Sequence, residues 1–203
     1  MVKSVKIVEV GARDGLQNES SIFSLEDRFS LIKKLADSGL KFIEVGAFVS
    51  PRWVPQMQDS KKLLNKVIRH QAKGKFDKKI IFSALVPNER GMTDATDTDV
   101  KEVAIFGACS ESFSQKNINC SIEESFGRFS TVVDMAKKKK IKVRGYLSMA
   151  FGCPYEGHIP PSKVARLAKK MLDLGVYEVS IGDTIGVATP KQVEKLLKQM
   201  QKK

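Results

Sequence analysis

Val8-Glu9-Val10-Gly11-Ala12-Arg13-Asp14-Gly15-Leu16-Gln17-Asn18-Glu19 is the stretch on which the reading of the chain turns. Val5, Ile7, Val8 and Val10 form a short apolar run that Gly11 closes, the pattern of a buried strand. A guanidinium, a carboxylate, a glycine and an amide follow at once, from Arg13, Asp14, Gly15 and Gln17. Such a cluster at the C-terminal end of a strand is where α/β barrels keep their chemistry. Asp14 offers hard oxygen to Mg²⁺ or Mn²⁺, and Arg13 offers a fixed fork to a carboxylate or enolate oxygen. Gly15 lets backbone approach a ligand closely. A strand-to-loop turn with an ordinary Arg–Asp ion pair accounts for the same residues. On this stretch alone both readings stand.

The stretch, with its Gly-x-Arg-Asp-Gly-Leu-Gln-Asn-Glu pattern, resembles the first strand and signature loop of the hydroxymethylglutaryl-CoA lyases. Phe48 to Met57, the loop Gly152-Cys153-Pro154-Tyr155-Glu156-Gly157 and Gly182-Asp183-Thr184-Ile185-Gly186 resemble the same family. That family sits in the barrel superfamily of metal-dependent carbon–carbon lyases and Claisen-type synthases. The synthases usually place an acidic residue where Leu16 stands. Ala12 departs from the lyases, which commonly carry proline there.

The 203 residues, 42% of them apolar, suit one sizeable domain over 1–203. No apolar run is long enough to span a membrane, and no secretory or transit segment is visible before the first strand, so a cytoplasmic location is expected. Cys109, Cys120 and Cys153 lack metal-type spacing and read as reduced thiols. The net charge of +12 is spread over many segments. Its one tight run, Lys137 to Lys140, falls where a helix should end and cations complement the dipole. Neither a nucleic-acid nor a membrane partner is expected.

Ser24-Leu25-Glu26-Asp27 resembles a capping box opening a helix that Gly39 terminates. A second strand over 41–45 carries Glu44, an acid that needs a partner or a role. Further strands are expected over 80–86, 102–108, 142–149 and 177–181. Between the third and fourth a helix is only weakly signalled, and residues 114–121 read as a loop. A second capping box, Ser121 to Glu124, and a third, Thr189 with Pro190 and Gln192, open later helices. The alternation implies a TIM-type (β/α)8 barrel, here incomplete with roughly six β/α units, since a full barrel takes about 250 residues.

The resemblance implies cleavage of 3-hydroxy-3-methylglutaryl-CoA to acetyl-CoA and acetoacetate. The steps of that retro-Claisen reaction are deprotonation of a tertiary alcohol and stabilisation of the departing enolate, assisted by a divalent cation, Mg²⁺ or Mn²⁺. It implies Asp14 as metal ligand, Arg13 and Glu44 as catalytic, and Gln17, Asn117, Tyr146, Ser180, Asp183 and Thr184 with Arg13 as substrate contacts. The partner expected is a small acyl-CoA substrate, and a homo-oligomer is expected. Packed or hydrogen-bonded strand residues account equally for Tyr146 and Ser180, and an Asn-rich turn for Asn117. The family's His-x-His ligands, its Asn ligand and its catalytic cysteine loop have no counterpart here. His70 reads as exposed on a charged helix, and His158 lies in a loop. Cys153 matches an earlier, non-catalytic segment of the family and reads as a small buried residue. A non-catalytic homologue and a Claisen-type synthase are the competing readings.

Overall fold

The computed structural model describes residues 4–201. Seven α-helices alternate with strands among the described residues, and the chain forms two compact units. One holds the residues up to Val103 with Lys138–Ile141; the other holds Ala104–Lys137 with the residues from Lys142 onward.

In the first unit, α1 (Leu25–Asp37) starts at Ser24, whose hydroxyl accepts the N–H of Asp27 at 3.1 Å. It ends at Gly39, which takes a left-handed φ of 96°. Strand β1 (Phe42–Ala47) is buried apart from its first residue and pairs in parallel with β2 (Ile81–Leu85). Between them lies α2 (Ser60–Ala72), which buries Leu63, Leu64 and Val67. The weakly signalled helix is present as α3 (Glu89–Thr96), capped by Asn88, whose side chain accepts Gly91 N–H at 3.0 Å. Strand β3 (Glu102–Ala108) follows, its first two residues in this unit and the rest in the second.

The second unit opens its helices with α4 (Glu111–Ile118) and α5 (Ile122–Lys138). Helix α5 begins with the expected capping box: Glu124 N–H meets the Ser121 hydroxyl at 3.1 Å, and Ser121 N–H meets the Glu124 carboxylate at 2.7 Å. Strand β4 (Lys142–Ser148) is followed by a small antiparallel hairpin, β5 (Gly152–Cys153) and β6 (Gly157–His158). Helix α6 (Pro161–Leu174) leads to β7 (Glu178–Ile181), which pairs in parallel with β4, and α7 (Pro190–Gln201) closes the described chain. Val143, Gly145 and Leu147 lie on one face of β4, and Arg144, Tyr146 and Ser148 on the other. A Cβ on Gly145 would meet Met171 Sδ at 2.8 Å, so that face lies against α6.

Three expectations are corrected. The first strand is not formed: residues 5–10 contribute a single parallel bridge, Glu9 to Ile43. Val5 and Ile7 are 83% and 63% exposed, so the apolar run is not packed as the pattern implied. Residues 114–121 are not all loop, because Ser110 caps α4 by accepting Phe113 N–H at 3.1 Å, and Asn119 ends it with a left-handed φ of 50°. His70 is half-buried rather than exposed, its ring 5.2 Å from Phe29 and 4.6 Å from Phe76.

Candidate active site

Gly11–Gly15 winds into one π-helical turn, a wide turn that recurs at functional sites. Asp14 N–H returns to Val10 C=O at 2.6 Å, and Asn18 Nδ2 ties down the Asp14 carbonyl at 2.7 Å. The parallel bridge sets this turn against β1: Glu9 N–H reaches Phe42 C=O at 2.9 Å, and Glu44 N–H reaches Glu9 C=O at 2.9 Å. That register aligns Glu44 with the base of the turn.

Arg13 is buried, with Nε donating to Glu44 Oε1 and a terminal nitrogen to Asp14 Oδ1 at 2.6 Å. Glu44 is 1% exposed, so its charge is compensated inside the protein by Arg13. The Asp14 side chain is 55% exposed and therefore open to a ligand. A Cβ on Gly15 would meet nothing within 4 Å, which leaves space above the turn. Gln17 is half-buried in the helical continuation. The structure brings Arg13, Asp14 and Glu44 into one cluster.

The second unit holds the remaining expected residues. Tyr146 on β4 sits in register with Ser180 on β7, and Arg144 with Glu178 two residues earlier on each strand. Arg144 Nε donates to Glu178 at 2.5 Å, and the guanidinium carbon lies 4.7 Å from the Tyr146 ring centroid. Burial alone would depress the Arg144 pKa, but the Glu178 hydrogen bond and neighbouring charges raise it overall. Asp183 turns inward on its own loop, its two oxygens accepting Val187 N–H at 3.0 Å and Ala188 N–H at 2.9 Å. Thr184 Oγ1 accepts Met149 N–H at 2.8 Å, tying the loop after β7 to the end of β4. Asn117 is exposed on the last turn of α4.

Sequence reasoning passed over Arg144, Met149 and Ser110. Met149 takes a left-handed φ of 56°, a conformation held by the Thr184 contact; no side-chain pattern signals it. Ser110 Oγ lies 2.9 Å from Cys153 Sγ, and both are buried. Its position directly before Glu111 was the available signal, an N-cap pattern. Cys153 is the small buried residue expected. Burial pushes the Cys109 thiol up to about 12, which makes it unreactive near neutrality.

Among the described residues no three His, Cys, Asp or Glu side chains converge as a metal cage. Of the residues expected to bind a divalent cation, the structure offers one exposed carboxylate, Asp14.

Parallel strand pairs joined through helices, with charged clusters on the loops that follow them, define an α/β enzyme fold. The HMGL-like family model matches residues 4–203, and the chain belongs to that family. It is 50% identical over 195 residues to the mitochondrial hydroxymethylglutaryl-CoA lyase of Rattus norvegicus, covering 96% of this chain and 58% of that protein. It is 48% identical over 198 residues to the cytoplasmic 3-hydroxy-3-methylglutaryl-CoA lyase of Homo sapiens, covering 98% of this chain and 52% of that protein. The crystal structure of hydroxymethylglutaryl-CoA lyase from Pseudomonas aeruginosa matches with a TM-score of 0.91 at 44% identity, covering 98% of this chain and 64% of that one. An Acinetobacter baumannii HMG-CoA lyase in complex with coenzyme A and 3-methylmalate matches with a TM-score of 0.88 at 29% identity, covering 97% and 62%. The chain thus has the lyase-type TIM-barrel fold in incomplete form, spanning a little over half the length of the curated relatives it matches.

Proposed function

We propose that the chain carries a carbon–carbon lyase site that cleaves 3-hydroxy-3-methylglutaryl-CoA to acetyl-CoA and acetoacetate. The observation that carries this reading is the Arg13–Glu44–Asp14 cluster, in a chain about half identical to named lyases over nearly all its length. Asp14 holds the cation with its exposed carboxylate. A divalent ion, Mg²⁺ or Mn²⁺, supplies Lewis acidity that lowers the pKa of the substrate's tertiary hydroxyl. Arg13, fixed by Glu44, places a cation beside the developing enolate oxygen, where a preorganised charge outweighs one that must be recruited from water. Glu44 orients Arg13.

Gln17, Asn117, Tyr146 and Ser180 contact the substrate in this reading. Asp183 and Thr184 hold the loop on which such contacts depend, supported by their hydrogen bonds to backbone. The chain works as one lyase domain and as a homo-oligomer, in leucine breakdown and ketone-body formation. A cytoplasmic location fits relatives named for the cytoplasm, although mitochondrial ones match equally well. Calorimetric titration with Mn²⁺ tests the ligand assignment: weak binding that Asp14→Asn abolishes is expected, and unchanged binding would remove Asp14 from the site.

A further inference from the structure

Trp53 is the single tryptophan of the chain and is 87% exposed. Isolated apolar residues on a surface are ordinary, but the loop carrying this one is anchored at both ends. At its start, Phe48 N–H reaches Leu85 C=O at 2.8 Å. Gly91 of α3 comes so close that a Cβ there would sit 2.7 Å from the Phe48 carbonyl. In its middle, Gln56 Nε2 donates to Glu19 C=O at 2.9 Å, joining the loop to the segment that follows the Arg13–Asp14 turn. At its end, buried Arg28 donates to Gln58 C=O at 2.7 Å, and the Ser60 hydroxyl ties Met57 C=O at 2.7 Å. Trp53 and Val54 N–H both return to Ser50 C=O at 3.0 Å, which fixes the tip itself.

The indole is thus held out on a rigid tip, on the loop that leaves the C-terminal end of β1, the strand of Glu44. Beside it in sequence is Arg52, and α3, which packs on the start of the loop, carries Arg90. Both guanidiniums are exposed, and neither has an ion-pair partner among the described residues. An exposed aromatic face on a loop that also carries one exposed guanidinium, with a second on the helix packed against the start of that loop, matches a ligand with a planar base and phosphates. An aromatic platform is sequence-tolerant because every base has a π-face, and guanidiniums suit phosphate oxygens.

We propose that Trp53 is a stacking platform for the adenine of the substrate's coenzyme A, with Arg52 and Arg90 drawing in its phosphates. This rests on the acyl-CoA reading and adds a recognition site to it, outside the reacting cluster.

The lone tryptophan is its own reporter. The 203-residue chain is titrated with coenzyme A, adenosine 3′,5′-bisphosphate and pantetheine, following Trp53 emission and, in parallel, heat. Expected is saturable quenching by coenzyme A and by the bisphosphate, and none by pantetheine. Trp53→Ala should weaken coenzyme A binding by about tenfold by calorimetry, while Trp53→Phe keeps most of it. Circular dichroism should show both variants folded, because the side chain is exposed. Coenzyme A binding by calorimetry with unchanged Trp53 emission and unchanged Trp53→Ala affinity would overturn the platform and leave the acyl-CoA reading intact. No calorimetric binding of coenzyme A would overturn both.

Discussion

Arg13 joins two carboxylates in unlike surroundings, and the two should answer mutation differently. Glu44 is 1% exposed, so Glu44→Ala removes the buried carboxylate that Arg13 Nε donates to and should cost about 3–5 kcal/mol, read from urea unfolding. The Asp14 side chain is 55% exposed, so Asp14→Asn should cost less than about 1 kcal/mol in the same measurement, while metal binding disappears. Equal losses would mean that Asp14 serves structure rather than a ligand. Gly15 makes a related test. A side chain there meets nothing within 4 Å and its φ is unexceptional, so Gly15→Ala should fold as well or gain about 0.5 kcal/mol. Reduced acyl-CoA affinity in that variant would show that ligand backbone passes over the turn. The residue types of this cluster were readable from the Arg-Asp-Gly-x-Gln string. Its geometry was not: the pairing of Arg13 with Glu44 depends on a strand register that no local pattern encodes.

Helix starts were the most legible elements, because a capping side chain and its target lie within four residues of each other. Ser24, Ser121 and Thr189 all cap as their patterns indicate. The segment over 5–10 misled because an apolar run specifies burial only if something packs on it, and Val5 and Ile7 stand exposed. Helix α4 was missed because its apolar periodicity is poor and its start depends on Ser110 alone. The Glu124 carboxyl is held below its usual range by the Ser121 N–H first and the Ser121 hydroxyl second. A depressed folded-state pKa means that this stabilisation is complete above the unfolded value near 4.5 and is lost as the pH falls through the folded one. Glu124→Gln should therefore flatten the acid limb of a stability–pH profile; an unchanged limb would separate the capping box from acid stability. Beyond the other end of α5, Lys140 is exposed with a left-handed φ of 55°. Lys140→Gly should raise stability by about 0.5–1 kcal/mol, checked by thermal unfolding.

Over the whole molecule, the family and the alternation of strands with helices are legible in the amino-acid string, since both rest on motifs and periods spread along the chain. The assembly of a site is not, because it needs contacts between segments far apart in sequence, as between Arg13 and Glu44. The excess of cations, +12 in all, is dispersed, and many lysines are engaged in exposed pairs such as Lys61 with Asp97 and Lys169 with Asp173. Such pairs contribute little stability individually and keep the surface mixed in sign. The remaining positive field favours an anionic thioester over a neutral substrate. If Asp14 alone among the described residues holds the proposed cation, its position would be loosely set, and turnover should be well below that of the longer lyases. The most direct measurement is acetoacetate release from 3-hydroxy-3-methylglutaryl-CoA with Mg²⁺ or Mn²⁺, for the chain and for Asp14→Asn. Slow, metal-dependent release that Asp14→Asn abolishes is expected. Release that Asp14→Asn leaves unchanged, or none from the chain with either metal, would contradict a lyase site built on Asp14.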